Sequence, residues 1–261
     1  MKIYLATICI LFSLSLFAKT KGHIYTGHSA VPKSEREAML ILPGFASKLH
    51  GTKRIAEFFS GKGYDIYIPK YISRKSINGS VENLDRFITR HKLKEYKKLH
   101  VYAYIIGSWT INDWINKNPD NNISTIIYDR SPFQERAPYA LVHDMPFLIR
   151  LAYGKIMKEF SETDYPPILA PKIYKGIIIE SKATNIFIKH KKSAMAPGPI
   201  NWNFADLHQP CNDEFYALLN HDEMYSRFDI AGNEVFYFIA NHKFADTLRR
   251  KPFDVNLSLT D

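Results

Sequence analysis

A hydroxyl, an imidazole and a carboxylate are the groups from which a side-chain nucleophile is assembled, and this chain offers each at a few defined places. His221 sits in Leu219-Asn-His-Asp-Glu-Met-Tyr225, a polar stretch crowded with titratable groups shortly before a helix-like segment. An imidazole there can serve as a general base held by a carboxylate, or simply pair with its neighbours Asp222 or Glu223. Ser108 stands in Val101-Tyr-Ala-Tyr-Ile-Ile-Gly-Ser-Trp-Thr110, where a strand-like run turns helical. Asp129 and Glu180 each close a strand-like run. Their plain alternatives are ion pairs, Asp129 with Arg130 or Arg136 and Glu180 with Lys182. Other combinations carry less. Neither His-x-x-x-His nor Cys-x-x-Cys occurs, so the spacing implies neither a metal nor another cofactor. Asp206-Leu-His208 has the look of a solvated loop, and Gly61-Lys-Gly63 ends a helix rather than cradling a phosphate. Asp213-Glu214 and Asp222-Glu223 could pair for glycoside chemistry, but nothing fixes their separation. Asn78-Gly-Ser80, Asn122-Ile-Ser124 and Asn256-Leu-Ser258 are glycosylation acceptors only in a eukaryotic secretory setting.

The elements that must position these groups alternate along the chain. Ala38-Met-Leu-Ile-Leu42 is an apolar run stopped by Pro43-Gly44, and Thr52–Ser60 carries Ile55, Phe58 and Phe59 at helical spacing. Tyr64–Ile68 reads as a strand, Ser80–Ile88 as a helix with Ser80 as its N-cap, and Leu99–Ile106 as a buried strand. The next helix covers Ser108–Asn116, followed by strands at Ile123–Tyr128 and Lys175–Glu180, the latter being the last clear one. A final helix runs from about Gly232 to Asn241. Strands joined through helices predict an α/β fold, a mostly parallel central sheet with helices on both faces. The stretch 130–172, with six prolines and several aromatics, breaks the rhythm and predicts a helical cap at the carboxyl edge of the sheet, where ligands bind in open α/β folds.

This order of elements resembles the α/β-hydrolase superfamily, in its lipase- and esterase-like branch, over about residues 38–245. Leu40-Ile-Leu-Pro-Gly-Phe45 is similar to the strand and oxyanion loop, with Pro43 where the family usually has His. Backbone amides at Gly44 and Phe45 would then face a developing oxyanion. His221 and the helix after it look like the family's catalytic histidine and last helix. Tyr128-Asp-Arg-Ser-Pro-Phe-Gln134 resembles the strand end beyond the nucleophile helix. The resemblance implies a nucleophile, acid, base order, with Asp129 or Glu180 as the acid. Asp129 is slightly preferred, because Ser131-Pro132 defines its strand end sharply.

The family's nucleophile elbow reads Gly-x-Ser-x-Gly, a strained turn that needs small residues two before and two after the attacking one. With Ser108 as nucleophile, those places hold Ile106 and Thr110. With Ile105 at the elbow, they hold Ala103 and Gly107. The second register obeys the steric rule and leaves no attacking atom; the first keeps the atom and breaks the rule. Two functions follow. One is an exported acyl hydrolase using Ser108, His221 and Asp129 or Glu180, with Phe133, Tyr139, Phe147 and Tyr153 of the cap lining a pocket for a small-molecule or lipid-like ester. The other is a non-catalytic binding protein that keeps the pocket, a pseudoenzyme.

Composition bounds the setting. Of 261 residues, 46% are hydrophobic and 23% charged, enough for a packed core and too apolar for a disordered chain. The net charge is +9, with lysines scattered and no basic stripe interleaved with stacking aromatics, so nucleic acid is not an expected partner. Peripheral contact with a membrane or envelope remains open on that charge. Lys2, the apolar run Ile3–Phe17 and Ala18 read as a signal peptide over 1–18, too short to span a bilayer. The remainder, 19–261, is then expected to be one secreted or periplasmic, envelope-associated domain. Cys211 would be its only thiol.

Overall fold

The computed structural model describes residues 22–26, 30–45, 49–167, 172–202 and 210–254. The segment 1–18 expected to be a signal peptide, Asp206-Leu-His208 and the acceptor at Asn256 lie outside them. Seven strands form one sheet: β1 (His23–Tyr25), β2 (Glu37–Leu42), β3 (Asp65–Ile68), β4 (Lys98–Tyr104), β5 (Ile123–Arg130), β6 (Tyr174–Glu180) and β7 (Asp213–Ala217). Their order is β1-β3-β2-β4-β5-β6-β7. Every neighbouring pair is parallel except β1 with β3. The helices are α1 (Leu49–Ser60), α2 (Ile77–Arg90), α3 (Ile105–Lys117), α4 (Ala137–Asp144), α5 (Pro146–Tyr153), α6 (Ile156–Glu162), α7 (Asn185–Lys189), α8 (Lys191–Ala194), α9 (His221–Ser226) and α10 (Phe228–Asn241).

Period two sorts each continuous apolar strand between the two faces of the sheet. Leu40, Val101, Ala103, Ile126, Ile177 and Ile179 pack with Leu84, Phe87, Ile111 and Trp114 of α2 and α3. Met39, Ile41, Tyr102, Tyr104, Ile127 and Ile178 pack with Ile55 and Phe59 of α1 and with Phe228, Val235 and Phe238 of α10. Both faces are therefore covered, as the sequence predicts.

Several expectations need correction. Two strands escape the sequence pattern: β1, three residues on an antiparallel edge, and β7, where Asp213-Glu214 dilutes the apolar signal. Ser80 does not cap its helix. Ser76 does, accepting from the Gly79 amide at 3.0 Å, while the Ser80 hydroxyl donates back to the Ser76 carbonyl within the first turn. The cap consists of α4, α5 and α6, the first two opening on Pro138 and Pro146 in their first turns, where a missing N–H costs nothing.

Gly107, in the first turn of α3, fixes how that helix meets the sheet. A Cβ there would lie 2.7 Å from the Leu42 carbonyl oxygen and 2.8 Å from its Cβ. Both are backbone-borne and cannot swing aside. Gly107→Ala is therefore expected to destabilise the fold by on the order of 2–4 kcal/mol, read as a lowered midpoint in urea unfolding with an unchanged slope.

Candidate active site

The carboxyl ends of β2, β4, β5 and β6 and the start of α9 converge on one place. Helix α9 opens at His221, and a capping box sets its direction: the Asn220 side chain accepts from the Glu223 amide, and Glu223 accepts from the Asn220 amide. Glu223 is thereby occupied and is not the imidazole's partner; it also pairs with Lys182. His221 Nδ1 lies 2.8 Å from Glu180 Oε1, and Glu180 is fully buried at the end of β6. Desolvation pushes the His221 pKa down, partly opposed by Asp129 and Asp222. A neutral imidazole donating through Nδ1 leaves the Nε2 lone pair free, the arrangement of a base.

Glu180, and not the preferred Asp129, is the carboxylate on the imidazole. Asp129 at the end of β5 instead accepts from the Tyr102 hydroxyl at 3.0 Å and touches Glu180 from behind. The ion pairs that would have explained both acids away do not form, since Arg130 pairs with Glu135 and Lys182 with Glu223. Both carboxyls are fully buried, and Glu180 has Ser131 and Asp129 as its side-chain hydrogen-bond neighbours besides His221. Two acceptor-only oxygens side by side in a dry interior are unstable; one proton between them satisfies both. Burial, and then the Glu180 charge, hold the Asp129 pKa well above the carboxylate range. Burial also raises Glu180, while hydrogen bonds from Ser131 and Asp129 oppose the rise.

The loop after β2 closes the other side. The Tyr71 hydroxyl donates to the Pro43 carbonyl at 2.6 Å, and a Cβ on Gly44 would come within 3.3 Å of His221 Nε2. The Gly44 amide, an expected oxyanion donor, already donates to the Tyr225 hydroxyl at 2.9 Å. Tyr225 stacks on Tyr104 at 4.1 Å, and His221 stands edge-on to both rings. These two tyrosines were not singled out by sequence. The signal for Tyr225 was its place four residues after His221, which puts both on one face of α9.

The strand-to-helix junction decides the attacking atom. Tyr104 is extended (φ −78°, ψ 153°) and Ile105 begins α3. Among the described non-glycine residues only Lys92 and His242 have positive φ, so β4 passes into α3 without the strained residue expected of an elbow. Ile105 lines a cavity of about 210 Å³ together with Gly44, Phe45, His221, Thr184 and cap residues including Leu141, Tyr153 and Phe160. Ser108 is not among its lining residues. Its hydroxyl turns back to the Ala103 carbonyl at 3.4 Å, and it borders a separate crevice of about 10 Å³ with Tyr128 and Asp129, room for roughly one water. Of the four cap aromatics expected at the pocket, Tyr153 lines it. Phe133 is buried against Phe187 and Trp202, and Tyr139 and Phe147 are exposed. Phe45 meets Tyr153 and Phe160 edge-on and, with Gly44 and Tyr153, also borders a second cavity of about 530 Å³. Among the described residues no three His, Cys, Asp or Glu side chains form a group that could hold a metal ion.

No family model and no curated protein matches this sequence. Solved structures do resemble it. An α/β-hydrolase enzyme from the metagenome of lagoon sediments at Mar Chica, Morocco, superposes with a TM-score of 0.55 at 15% identity, covering 86% of this chain and 96% of that one. Est1E from Butyrivibrio proteoclasticus gives 0.55 at 8% identity, covering 85% and 94%. The juvenile hormone epoxide hydrolase of the silkworm Bombyx mori gives 0.54 at 10% identity, covering 85% and 73%. At such identities the likeness is one of architecture, and it agrees with the mostly parallel seven-stranded sheet and its flanking helices: the chain has the α/β-hydrolase fold.

Proposed function

We propose that this is an esterase-like site without a side-chain nucleophile, in which a small, mostly apolar ester or acyl compound lies under the cap and His221 draws the proton from a water that attacks it. The observation that carries this reading is the pairing of an intact His221–Glu180 unit with Ile105 at the junction where an attacking oxygen would stand. A base alone contributes roughly 10²–10⁴-fold, so turnover is slow and no acyl group is transferred to the protein. A second reading, a pocket that only binds, is favoured by the Gly44 amide being engaged with Tyr225 instead of facing a ligand oxygen. Export through residues 1–18 belongs to the same proposal, and processing of the full chain in a secreting host tests it.

The deciding experiment follows a short-chain nitrophenyl ester by product formation, protein mass and thermal shift. Slow turnover lost in His221→Ala, kept in Ser108→Ala and leaving no acyl adduct supports base-only hydrolysis. A thermal shift without product supports the binding reading. Turnover that vanishes in Ser108→Ala, with an adduct on that serine, overturns both.

A further inference from the structure

The described residues with the most exposed large hydrophobic side chains all belong to α5 of the cap: Phe147 at 76%, Leu151 at 65% and Leu148 at 57%, with the next residue at 43%. Three of five consecutive positions of one short helix thus form a ridge that no described residue covers. Such a ridge on a globular chain marks an interaction face. Directly beside it runs a groove of about 570 Å³ lined by Lys75, Arg150 and Lys155. The acidic residues of that groove are already engaged. Glu159 accepts from the Ile77 amide, and Glu162 pairs with Lys158. The groove therefore presents positive charge next to apolar surface, on a chain whose net charge is +9.

We propose that α5 docks the protein on an anionic lipid surface. Phe147, Leu148 and Leu151 enter the boundary between headgroups and acyl chains, while Lys75, Arg150 and Lys155 meet lipid phosphates. Apolar insertion and basic attraction are both needed, because either alone binds a bilayer weakly. The placement has a consequence for the site. Ala152 and Tyr153, on the last turn of α5, line the 530 Å³ cavity that shares Gly44, Phe45 and Tyr153 with the His221 cavity. A docked α5 brings that opening to the lipid, so that a lipid-borne ligand enters without crossing water.

The test uses the full chain and sedimentation with vesicles of phosphatidylcholine alone or with a quarter of phosphatidylglycerol. Binding is expected to the anionic vesicles, several-fold weaker with neutral ones, and to fall several-fold when salt is raised to about 0.5 M. Phe147→Glu with Leu151→Glu is expected to abolish it, and Arg150→Glu with Lys155→Glu to remove its preference for the anionic lipid. Both pairs are on the surface, and an unchanged thermal midpoint verifies the fold. Absence of vesicle binding overturns the proposal, as does binding that survives Phe147→Glu with Leu151→Glu. A concentration-dependent dimer broken by the same pair, without vesicle binding, also overturns it and makes a second copy of the chain the occupant. None of these substitutions touches His221 or Ile105, so the outcome is independent of the ester experiment.

Discussion

On the proposed function, Ile105→Ser is expected to give a protein labelled stoichiometrically by fluorophosphonates at residue 105. The side chain at 105 borders the cavity that His221 also lines, and it begins a helix whose first amides have no intrahelical acceptor. A seryl oxygen there would meet three aids together: a neutral imidazole steadied by Glu180, the positive end of α3, and small neighbours at Ala103 and Gly107. Ester turnover should rise by about 10²-fold or more over the unmodified chain, and His221→Ala in the same background should abolish the gain. Adding Tyr225→Phe, which frees the Gly44 amide, should increase turnover further. Labelling kinetics and intact mass read all three. Failure of Ile105→Ser to react, in a folded protein, would mean that the imidazole does not face this position.

Asp129→Asn is expected to stabilise the protein at neutral pH. The raised Asp129 pKa means that the native state holds a proton that the unfolded chain has released. Between the unfolded carboxylate pKa, near 4, and the raised native value, stability falls with pH by about 1.4 kcal/mol per unit per proton. Asparagine reproduces the protonated acid: its amide N–H can donate to Glu180 and its oxygen can accept from Tyr102. It takes up no proton on folding. Stability at pH 7 should rise, read as a higher thermal midpoint, and the gain should shrink to nothing near pH 4. Thermal melts of both proteins across that range give the answer. A loss of stability at pH 7 would show that Asp129 is ionised there.

The sheet was legible in the sequence because it rests on a local rule. Continuous apolar runs ending at Pro43-Gly44, Asp129 and Glu180 can only be buried strands with ends to spare, and Leu42 lies so close to Gly107 that a side chain there would clash, while the helix beginning at Ile105 lacks the strained backbone of an elbow. The choice between Asp129 and Glu180 was not local. It depends on the register of β5 against β6, which sets Arg130 beside Ile179 and brings Glu180 one step further out, and on the angle at which α9 presents His221. Tyr225 and Tyr104 carried no motif, because their role is contact across the fold between α9, β4 and the Gly44 loop. The ridge on α5 was hidden for a related reason. Phe147, Leu148 and Leu151 look like core residues until the fold shows that no described residue packs over them.

The proposed function rests on Ile105 standing where an attacking side chain would be, with no described side chain taking its place. Intact-mass measurement of the unmodified, purified protein after prolonged exposure to a fluorophosphonate decides this, with Ile105→Ser run alongside as the reactive reference. The predicted result is an unchanged mass for the unmodified chain and a single adduct on the variant. An adduct on the unmodified chain that maps to Ser108 would make Ser108 the nucleophile instead.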